Sequence, residues 1–436
     1  MNSFEYPLAR QQQAVWASQQ LQPSGDSYNV PVAYRLSGHV AEKELADAVR
    51  AVMSRHSMLR VAIHQLPNGE LRQSVCPTSD PVLSVHSIAA DELRQRLASA
   101  MSEPFSSEAV CRLRADLFRL SSQDAVLLMV FDHIAVDAPS VGLVAEELSR
   151  AYAQALDGRL PVDPPLEESP YFEYIHQQSD RVTSLEDQER ADFWGEYLDD
   201  MHELASRPRK DLFGKDSSIR HSSCPLSLPS DFSKLAERLR VTPFAVLLSA
   251  YSLTLQHFLR SDDVVISYPS VDWRRSEFGS VVGLFTDMLL FRCPPQGETS
   301  LQRYVRDVQE SLFICLEHQE ASLEKLWARM RTLAGGGAAL PAMLSVNDLG
   351  ADLRLPGLDV QRIPLSPRDG KAELMLTVNI RGTEATGQLD FDPDAYAPAV
   401  AQRLARAFET VLGQILDGRD TAAREVELIT EADRSL

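Results

Sequence analysis

The sequence predicts a mixed α/β fold, α/β or α+β in class, organised as two lobes. Segments with the apolar pattern of β-strands are interspersed along the chain with segments of helical periodicity. One such pair is compact: Ala125–Phe131 is an unbroken apolar run typical of a buried strand, and from Ser140 onward apolar residues recur at helical spacing. The chain has 436 residues, which is long enough for two lobes with separate cores.

The other elements are predicted from the same patterns. Val61–Val75 has the pattern of a hairpin with its turn at Pro67-Asn68-Gly69, since Asn-Gly favours tight turns. Cys111–Leu117 alternates as a strand that we expect beside Ala125–Phe131. Thr242-Pro243 joins an N-cap residue to a first-turn proline and predicts the start of a buried helix. Further helices are predicted at Ala90–Met101, Asp231–Arg240, Leu301–Glu317 and Pro398–Leu416, and further strands at Arg220–Leu228, Glu373–Ile380 and Thr386–Phe391.

A proline-rich segment marks the expected boundary between the two lobes. The run LPVDPPLEESPYF, which begins at Leu160, contains four prolines among acidic residues. Such a composition is typical of a linker. We therefore assign residues 1–165 to an N-terminal lobe and residues 166–436 to a C-terminal lobe.

The composition narrows the class of protein and its compartment. The net charge of −19 argues against broad nucleic-acid binding. No apolar run reaches the roughly 20 residues that span a membrane, and the first residues lack the basic and apolar regions of a signal peptide. The five cysteines are scattered and never in CxxC spacing, which favours reduced thiols in a cytoplasmic protein over a disulfide framework or a zinc site.

A histidine lies on the short connection between the predicted strand Ala125–Phe131 and the helix that follows. His133 comes directly after Asp132, and Asp137 lies further along the connection, so carboxylates stand on both sides of the imidazole. Ser140 is an N-cap residue type and marks the expected start of the helix. Side chains held between two rigid elements often belong to active sites. The same pattern also fits a histidine that is hydrogen-bonded within the packing of the core.

The segment DHIAVDAPS, residues 132–140, resembles the HHxxxDG signature of condensation domains from nonribosomal peptide synthetases, within the chloramphenicol acetyltransferase-like superfamily. His133 falls on the second, functional histidine of that signature and Asp137 on its aspartate. Asp132 replaces the first histidine, and Ala138 replaces the glycine. Other segments along nearly the whole chain resemble motifs of the same family: YPLARQQQAVWASQQL near the start, RHSMLR at residues 55–60, and the stretch that begins at Thr242.

This resemblance implies two chloramphenicol acetyltransferase-like lobes in a V-shaped pseudo-dimer with a tunnel between them. Condensation domains transfer an acyl group from a carrier-protein thioester to an amine or hydroxyl, and so form an amide or ester in nonribosomal peptide or hybrid polyketide biosynthesis. Acyl or peptidyl carrier proteins are the expected partners, because they carry both substrates on phosphopantetheine. We expect a cytoplasmic monomer with no bound cofactor, nucleic acid or membrane, acting as a free-standing enzyme or as part of a larger synthetase.

Under this resemblance His133 is the expected catalytic residue. An imidazole with a pKa of about 6.5 is largely neutral at pH 7 and can accept a proton or hydrogen bond from an attacking N–H or O–H group. Asp137 is expected to pair with Arg274 and to keep the connection rigid. Asp132 either points toward His133, where it would raise the pKa of the imidazole and fix its tautomer, or points away as a structural cap.

Three further residues complete the predicted site. Ser140 is assigned a supporting role at the start of the helix. Asp287, in a segment that resembles the GxFxN element of the family, and Asn347, in a predicted strand, are expected to line the tunnel. No metal ligands are expected, because the sequence contains no His/Cys cluster with suitable spacing.

A heterocyclisation domain, which condenses two substrates and then closes a ring on a cysteine, serine or threonine, fits part of the same pattern. Asp132, Asp137 and Ser140 match the DxxxxDxxS signature of that branch, and Phe285-Thr286-Asp287 is similar to its FTS element. The retained His133 opposes this interpretation.

Two more interpretations keep the fold but change the function. The chain could transfer its acyl group to a soluble amine or alcohol, which a free-standing enzyme would allow. It could also be a non-catalytic module that recruits carrier or partner proteins, as the replaced first histidine and glycine would suggest; the retained His133, Asp137 and Arg274 oppose that role. A fold by itself does not establish chemistry.

Overall fold

The computed structural model describes residues 5–21, 28–77, 82–106, 109–159, 169–181, 185–198, 222–229, 232–271, 276–319, 340–348, 352–365, 372–381, 384–418 and 421–429. The strands are β1 (Glu5–Pro7), β2 (Asn29–Ser37), β3 (Val61–Gln65), β4 (Leu71–Val75), β5 (Ser84–Ser87), β6 (Leu113–Arg119), β7 (Asp124–Asp132), β8 (Ser222–Leu226), β9 (Val265–Val271), β10 (Thr286–Arg292), β11 (Leu340–Asp348), β12 (Asp359–Ile363), β13 (Ala372–Arg381) and β14 (Glu384–Phe391).

The helices are interspersed with these strands, as the sequence predicts for a mixed α/β fold. They are α1 (Arg10–Leu21), α2 (Glu42–Arg55), α3 (Leu93–Ser102), α4 (Ala138–Leu156), α5 (Pro170–Arg181), α6 (Leu185–Tyr197), α7 (Phe232–Leu239), α8 (Pro243–Leu259), α9 (Leu301–Glu317) and α10 (Pro398–Leu416). The mixed α/β class is confirmed. Within the described residues, no helix is both long and apolar enough to cross a bilayer.

The chain forms two compact units, and each is built from discontinuous stretches. Unit 1 contains Met1–Val182, Asp272–Thr286 and Leu349–Pro367. Unit 2 contains Thr183–Val271, Asp287–Asp348 and Arg368–Leu436. This division differs from the predicted boundary after Pro165, which itself lies outside the described residues.

The difference arises from where particular segments bury their apolar side chains. Tyr171 and Phe172 at the start of α5 share a core cluster with Ala9 and Met58, so α5 belongs to unit 1. The segment that contains β12 returns to unit 1 because β12 pairs antiparallel with β2. A segment belongs to the unit whose core covers its apolar face, and the contacts that place it there join residues far apart in the sequence.

Unit 1 is organised around the buried strand β7. Its main sheet has the order β12-β2-β7-β6-β5, with a small sheet β1-β4-β3 beside it. The predicted pairing of β6 with β7 is confirmed, with Leu113 opposite Phe131. The predicted hairpin is confirmed in β3 and β4, where Gly69 has a φ of +90° in the turn. Helices α2 and α4 contribute Val49 and Leu148 to the core that packs on the sheet.

Unit 2 contains the sheet β10-β9-β11-β13-β14-β8. Helix α8 is buried on nearly every side, and the side chain of Thr242 caps it by accepting a hydrogen bond from the N–H of Ala245, as the sequence predicts. The predicted helices Leu301–Glu317 and Pro398–Leu416 are α9 and α10. Leu344, Leu376 and Leu389 on three neighbouring strands face the same core as these helices.

Candidate active site

The candidate site lies in unit 1, on the connection from β7 to α4. The prediction that Ser140 is the N-cap of α4 is wrong. The helix begins at Ala138 and its N-cap is Asp137, whose Oδ1 accepts a hydrogen bond from the Ser140 N–H at 3.0 Å. Pro139 in the first turn fits this start, because a proline there gives up no intrahelical hydrogen bond. The earlier start shortens the connection to residues 133–137, and thereby tightens the loop that carries His133.

His133 is partly exposed, whereas the residues on both sides of it, from Phe131 to Asp137, are buried. Its Nδ1 atom lies 2.8 Å from the carbonyl oxygen of Val136. A carbonyl oxygen only accepts, so Nδ1 carries the hydrogen and, in the neutral ring, the lone pair lies on Nε2. The backbone N–H of His133 donates to the Tyr28 carbonyl at 2.9 Å. Ring orientation and tautomer are therefore both fixed by backbone carbonyls of unit 1.

Asp132 points away from the imidazole and is buried in an ion pair. Its Oδ2 lies 2.9 Å from Nη1 of Arg112, and both side chains are almost fully buried. Its Oδ1 accepts hydrogen bonds from Gln19 Nε2 at 2.9 Å and from the Ile134 N–H at 3.3 Å. Of the two orientations that the sequence left open, the geometry therefore matches the structural one, in which the carboxylate closes the turn under His133.

Asp137 and Ser140 hold a distant segment against the start of α4. Oδ2 of Asp137 accepts the N–H of Phe285 at 3.1 Å and the hydroxyl of Thr286 at 3.4 Å. The Ser140 hydroxyl donates to the carbonyl of Gly283 at 2.8 Å and accepts the N–H of the same residue at 3.1 Å. The segment of residues 283–286 is thus fastened to the base of the histidine loop by two side chains.

The sequence also predicts Arg274, Asp287 and Asn347 as site residues. Arg274, the expected partner of Asp137, lies outside the described residues. Asp287 is buried in β10 of unit 2. Asn347, on β11 of unit 2, donates from Nδ2 to Oδ1 of Asn379 on the paired strand β13 at 3.0 Å. Their assignment to a tunnel stays a prediction.

Sequence reasoning missed the residues that support the loop from other elements. Gln12 on α1 is buried and donates from Nε2 to the carbonyl of Ile134 at 3.1 Å, while Gln19 on the same helix reaches Asp132. Arg112 stands directly before β6, and the register of Leu113 opposite Phe131 brings it beside Asp132. That register is the sequence signal that could have found Arg112.

The RHSMLR segment joins α2 to α4 without reaching the histidine loop. Nε2 of His56 lies 2.8 Å from Oε2 of Glu147, and Arg55 lies 3.3 Å from the same oxygen. Burial opposes ionisation of Glu147, but the hydrogen bond and charge of His56, with Arg55 and Arg150, outweigh it and lower the pKa of this carboxyl. Arg60 is buried and donates to the backbone carbonyls of Met53 and Ser54.

The arrangement presents one chemically useful group, the imidazole of His133. A neutral imidazole with a fixed tautomer can accept a proton or a hydrogen bond at Nε2 in a defined direction. Among the residues that the structure describes, no group of three or more His, Cys, Asp or Glu side chains is placed to hold a metal ion.

The candidate site thus consists of a buried strand, a short loop with a partly exposed histidine and a capped helix, all within one of two mixed α/β units. The chain belongs to the Condensation domain family, whose model matches residues 2–436. It is 25% identical over 450 residues to chondramide synthase of Chondromyces crocatus, a match that covers 98% of this chain. The chain spans only 11% of the length of that synthase.

Solved structures have the same fold. The first condensation domain of the calcium-dependent antibiotic synthetase, in complex with a substrate analogue, matches with a TM-score of 0.81 at 19% identity, covering 99% of this chain and 100% of that one. The X-domain in its complex with OxyB from teicoplanin biosynthesis matches with a TM-score of 0.82 at 21% identity, covering 99% and 97%. The fold expected from the sequence is therefore confirmed. The V-shaped arrangement of the lobes and the tunnel stay predictions.

Proposed function

We propose that this chain is an acyltransferase that joins an acyl group, held as a thioester on a carrier protein, to an amine or hydroxyl nucleophile. The single observation that carries the proposal is the geometry of His133: the ring is partly exposed within an otherwise buried loop, and the bond from Nδ1 to the Val136 carbonyl leaves Nε2 as the basic nitrogen of the neutral ring. Family membership supports the reaction class.

In the proposed reaction, the nucleophile attacks the thioester carbonyl carbon, a C–N or C–O bond forms, and the C–S bond to the pantetheine thiol breaks. Nε2 of His133 accepts the proton that the nucleophile loses and returns it to the departing thiolate. An α-amino group with a pKa of about 8 already has a useful neutral fraction, so the imidazole mainly orients it. A hydroxyl is a weaker nucleophile and needs general-base assistance, which contributes typically about 10²–10⁴-fold.

The curated relatives support the choice of carrier-bound substrates. Chondramide synthase and surfactin synthase subunit 1 of Bacillus subtilis are synthases much longer than this chain, which spans 11% and 12% of them. We infer that acyl or peptidyl carrier proteins deliver the substrates on phosphopantetheine, and that the chain itself holds no cofactor. Amide formation in the biosynthesis of a peptide or hybrid polyketide, in the cytoplasm, is the role that follows.

Heterocyclisation is less well supported, because every residue of the DxxxxDxxS match is engaged in internal contacts. Asp132 is ion-paired with Arg112, Asp137 caps α4 and holds residues 285 and 286, and Ser140 is bonded to Gly283. None of these three side chains is exposed, whereas His133 is partly exposed. In this chain, the three residues that match the signature therefore hold the loop in place.

A non-catalytic recruiting module is the second candidate, and one observation favours it. The X-domain that shares this fold was solved in complex with OxyB, so the fold also serves in a protein assembly. The retained, partly exposed His133 favours catalysis instead.

One experiment separates these functions. The chain is incubated with an acyl-loaded carrier protein and, in parallel, with an aminoacyl carrier protein, a cysteinyl carrier protein or a free amine, and the products are measured by mass spectrometry. We expect an amide on the acceptor carrier. Additional loss of water with the cysteinyl carrier would indicate heterocyclisation, a product only with the free amine would indicate a soluble acceptor, and no turnover with any donor would contradict the proposal.

A further inference from the structure

Asp132 stands where the family signature has its first histidine, and the structure pairs it with a residue that the sequence did not single out. We propose that Arg112 is a positioning residue for the reaction, acting through Asp132 to hold the His133 imidazole in its reactive orientation. This inference deepens the proposed acyl transfer and rests on it.

The first step is that the ion pair is sealed from solvent. The exposed fractions of the Arg112 and Asp132 side chains are 2% and 1%. Arg112 also donates from Nε to the carbonyl of Val61 at 2.9 Å, and its backbone carbonyl accepts the N–H of Asp132 at 3.0 Å. The guanidinium is thus anchored to β3, and its backbone to the end of β7, before it reaches the carboxylate. A charge-assisted hydrogen bond in such surroundings is geometrically stringent.

The second step is that the carboxylate shapes the histidine loop. Oδ1 of Asp132 accepts the N–H of Ile134 at 3.3 Å, and the carbonyl of Asp132 accepts the N–H of Ala135 at 2.9 Å. An aspartate that bonds to the backbone two residues ahead forms a turn. This turn places His133 at its outer corner, where the ring is partly exposed while Ile134 and Ala135 are buried.

The third step is that the turn sets the tautomer. The Val136 carbonyl accepts from Nδ1 of His133 only while the loop keeps its fold, and the Val136 N–H returns to the His133 carbonyl at 3.4 Å. Gln19 on α1 supports the same carboxylate at 2.9 Å. Loss of the Arg112 charge would leave Asp132 as an unpaired buried anion, and the loop would rearrange to solvate it.

The test removes the pair without leaving a buried charge. Arg112→Met alone and Asp132→Leu alone each leave one partner unpaired and should reduce stability, whereas the double variant R112M/D132L removes both charges and should recover much of the lost stability. The readout is the ¹⁵N spectrum of the histidine side chains, with the signals of His133 assigned from an H133Q variant. It reports the tautomer of the ring and does not depend on turnover.

We expect the folded double variant to show mixed tautomers at His133, and its kcat for acyl transfer to fall about 10²-fold while KM for the acyl carrier is unchanged. Arg292→Met is the control: the Arg292 guanidinium pairs with Asp263 at 2.8 Å in unit 2, and neither residue belongs to the His133 loop. We expect it to lower stability and leave the His133 signals as in the wild type.

The proposal is overturned if the double variant keeps the wild-type tautomer and the wild-type kcat. Should the double variant not fold, Gln19→Leu takes its place, since Gln19 is partly exposed and its loss removes one bond to Asp132. We then expect a smaller shift of the His133 signals in a folded protein, and unchanged signals overturn the proposal. A wild-type protein with the single tautomer but no turnover would instead reject the proposed acyl transfer.

Discussion

The Nδ1 atom of His133 lies 2.8 Å from the carbonyl oxygen of Val136, three residues ahead in the same loop. This contact decides which ring nitrogen carries the hydrogen, because the carbonyl oxygen has no proton to donate. The loop itself is held by Asp132 beneath it and by Asp137 at its end. A single local turn therefore orients the imidazole of His133, which is partly exposed while the other residues from Phe131 to Asp137 are buried. Changes to these supports should therefore alter stability or catalysis in defined ways.

Asp137 is expected to contribute more to stability than an ordinary helix cap. Asp137→Ala removes the cap of α4, which costs about 0.5–2 kcal/mol, and also leaves the buried N–H of Phe285 without its acceptor, at about 1–3 kcal/mol more. Ser300→Ala is the matched control, because the Ser300 hydroxyl caps α9 with one bond, to the N–H of Arg303. Urea denaturation of both variants measures the difference. Equal losses of unfolding free energy would show that the contact with residues 285 and 286 contributes nothing.

Gly283 is expected to tolerate no side chain. A Cβ atom at this position would lie 2.3 Å and 2.5 Å from two ring carbons of Tyr171, whose hydroxyl donates to the Leu284 carbonyl at 2.7 Å. Gly283→Ala should therefore displace the buried tyrosine and cost about 1–3 kcal/mol or more. Gly195→Ala on α6 is the control, since no described atom outside the adjoining residues and backbone of its own helix lies within 4 Å of its Cβ, and alanine favours a helix. We expect a lower melting temperature only for G283A, and a G283A protein as stable as G195A would refute the close packing.

The His56–Glu147 pair is expected to stabilise the protein near neutral pH and to lose this effect at acidic pH. Because the pKa of Glu147 is lowered from its ordinary value of 4.5, the ionised carboxylate contributes its full stabilisation at pH values above 4.5. This stabilisation is lost as the pH falls from 4.5 through the lowered pKa. Glu147→Gln should therefore be less stable than the wild type near neutral pH, and the gap should close in the acidic range. The control is Glu146→Gln, an exposed neighbour paired with exposed Arg150. Denaturant titrations at several pH values test this, and a gap that persists unchanged below pH 4.5 contradicts it.

Much of the fold could be predicted because local signals and tertiary packing agree. Helix α8 begins at the position that the N-cap Thr242 and the first-turn Pro243 predict, and the Asn-Gly turn joins β3 to β4 as predicted. Helix α4 starts earlier than Ser140 predicts, although Asp137 followed by Pro139 is itself an N-cap signal. Serine and aspartate both favour the N-cap position, so the local sequence alone does not choose between them.

The site could be predicted only in part, since its supports are long-range. His133 and its neighbours stand together in one segment, so a sequence pattern contains them. The partners of Asp132 and Asp137 are Arg112, Gln19 and Phe285, which come from a different strand edge, a different helix and a distant segment. No local periodicity encodes such contacts. The discontinuous units were missed for the same reason, because the return of β12 to unit 1 depends on its pairing with β2.

The role of His133 is tested most directly by single-turnover transfer from an acyl-loaded carrier protein to an amine-bearing or hydroxyl-bearing acceptor, comparing the wild type with His133→Ala. His64→Ala is the control, because His64 lies on β3, where its exposed ring pairs with Glu5 outside the loop. We expect H133A to fold normally and to lose transfer by about 10²–10⁴-fold with a hydroxyl acceptor, and by less with an amine, while H64A keeps the wild-type rate. An H133A protein that transfers the acyl group to both acceptors at the wild-type rate would contradict the proposed chemistry.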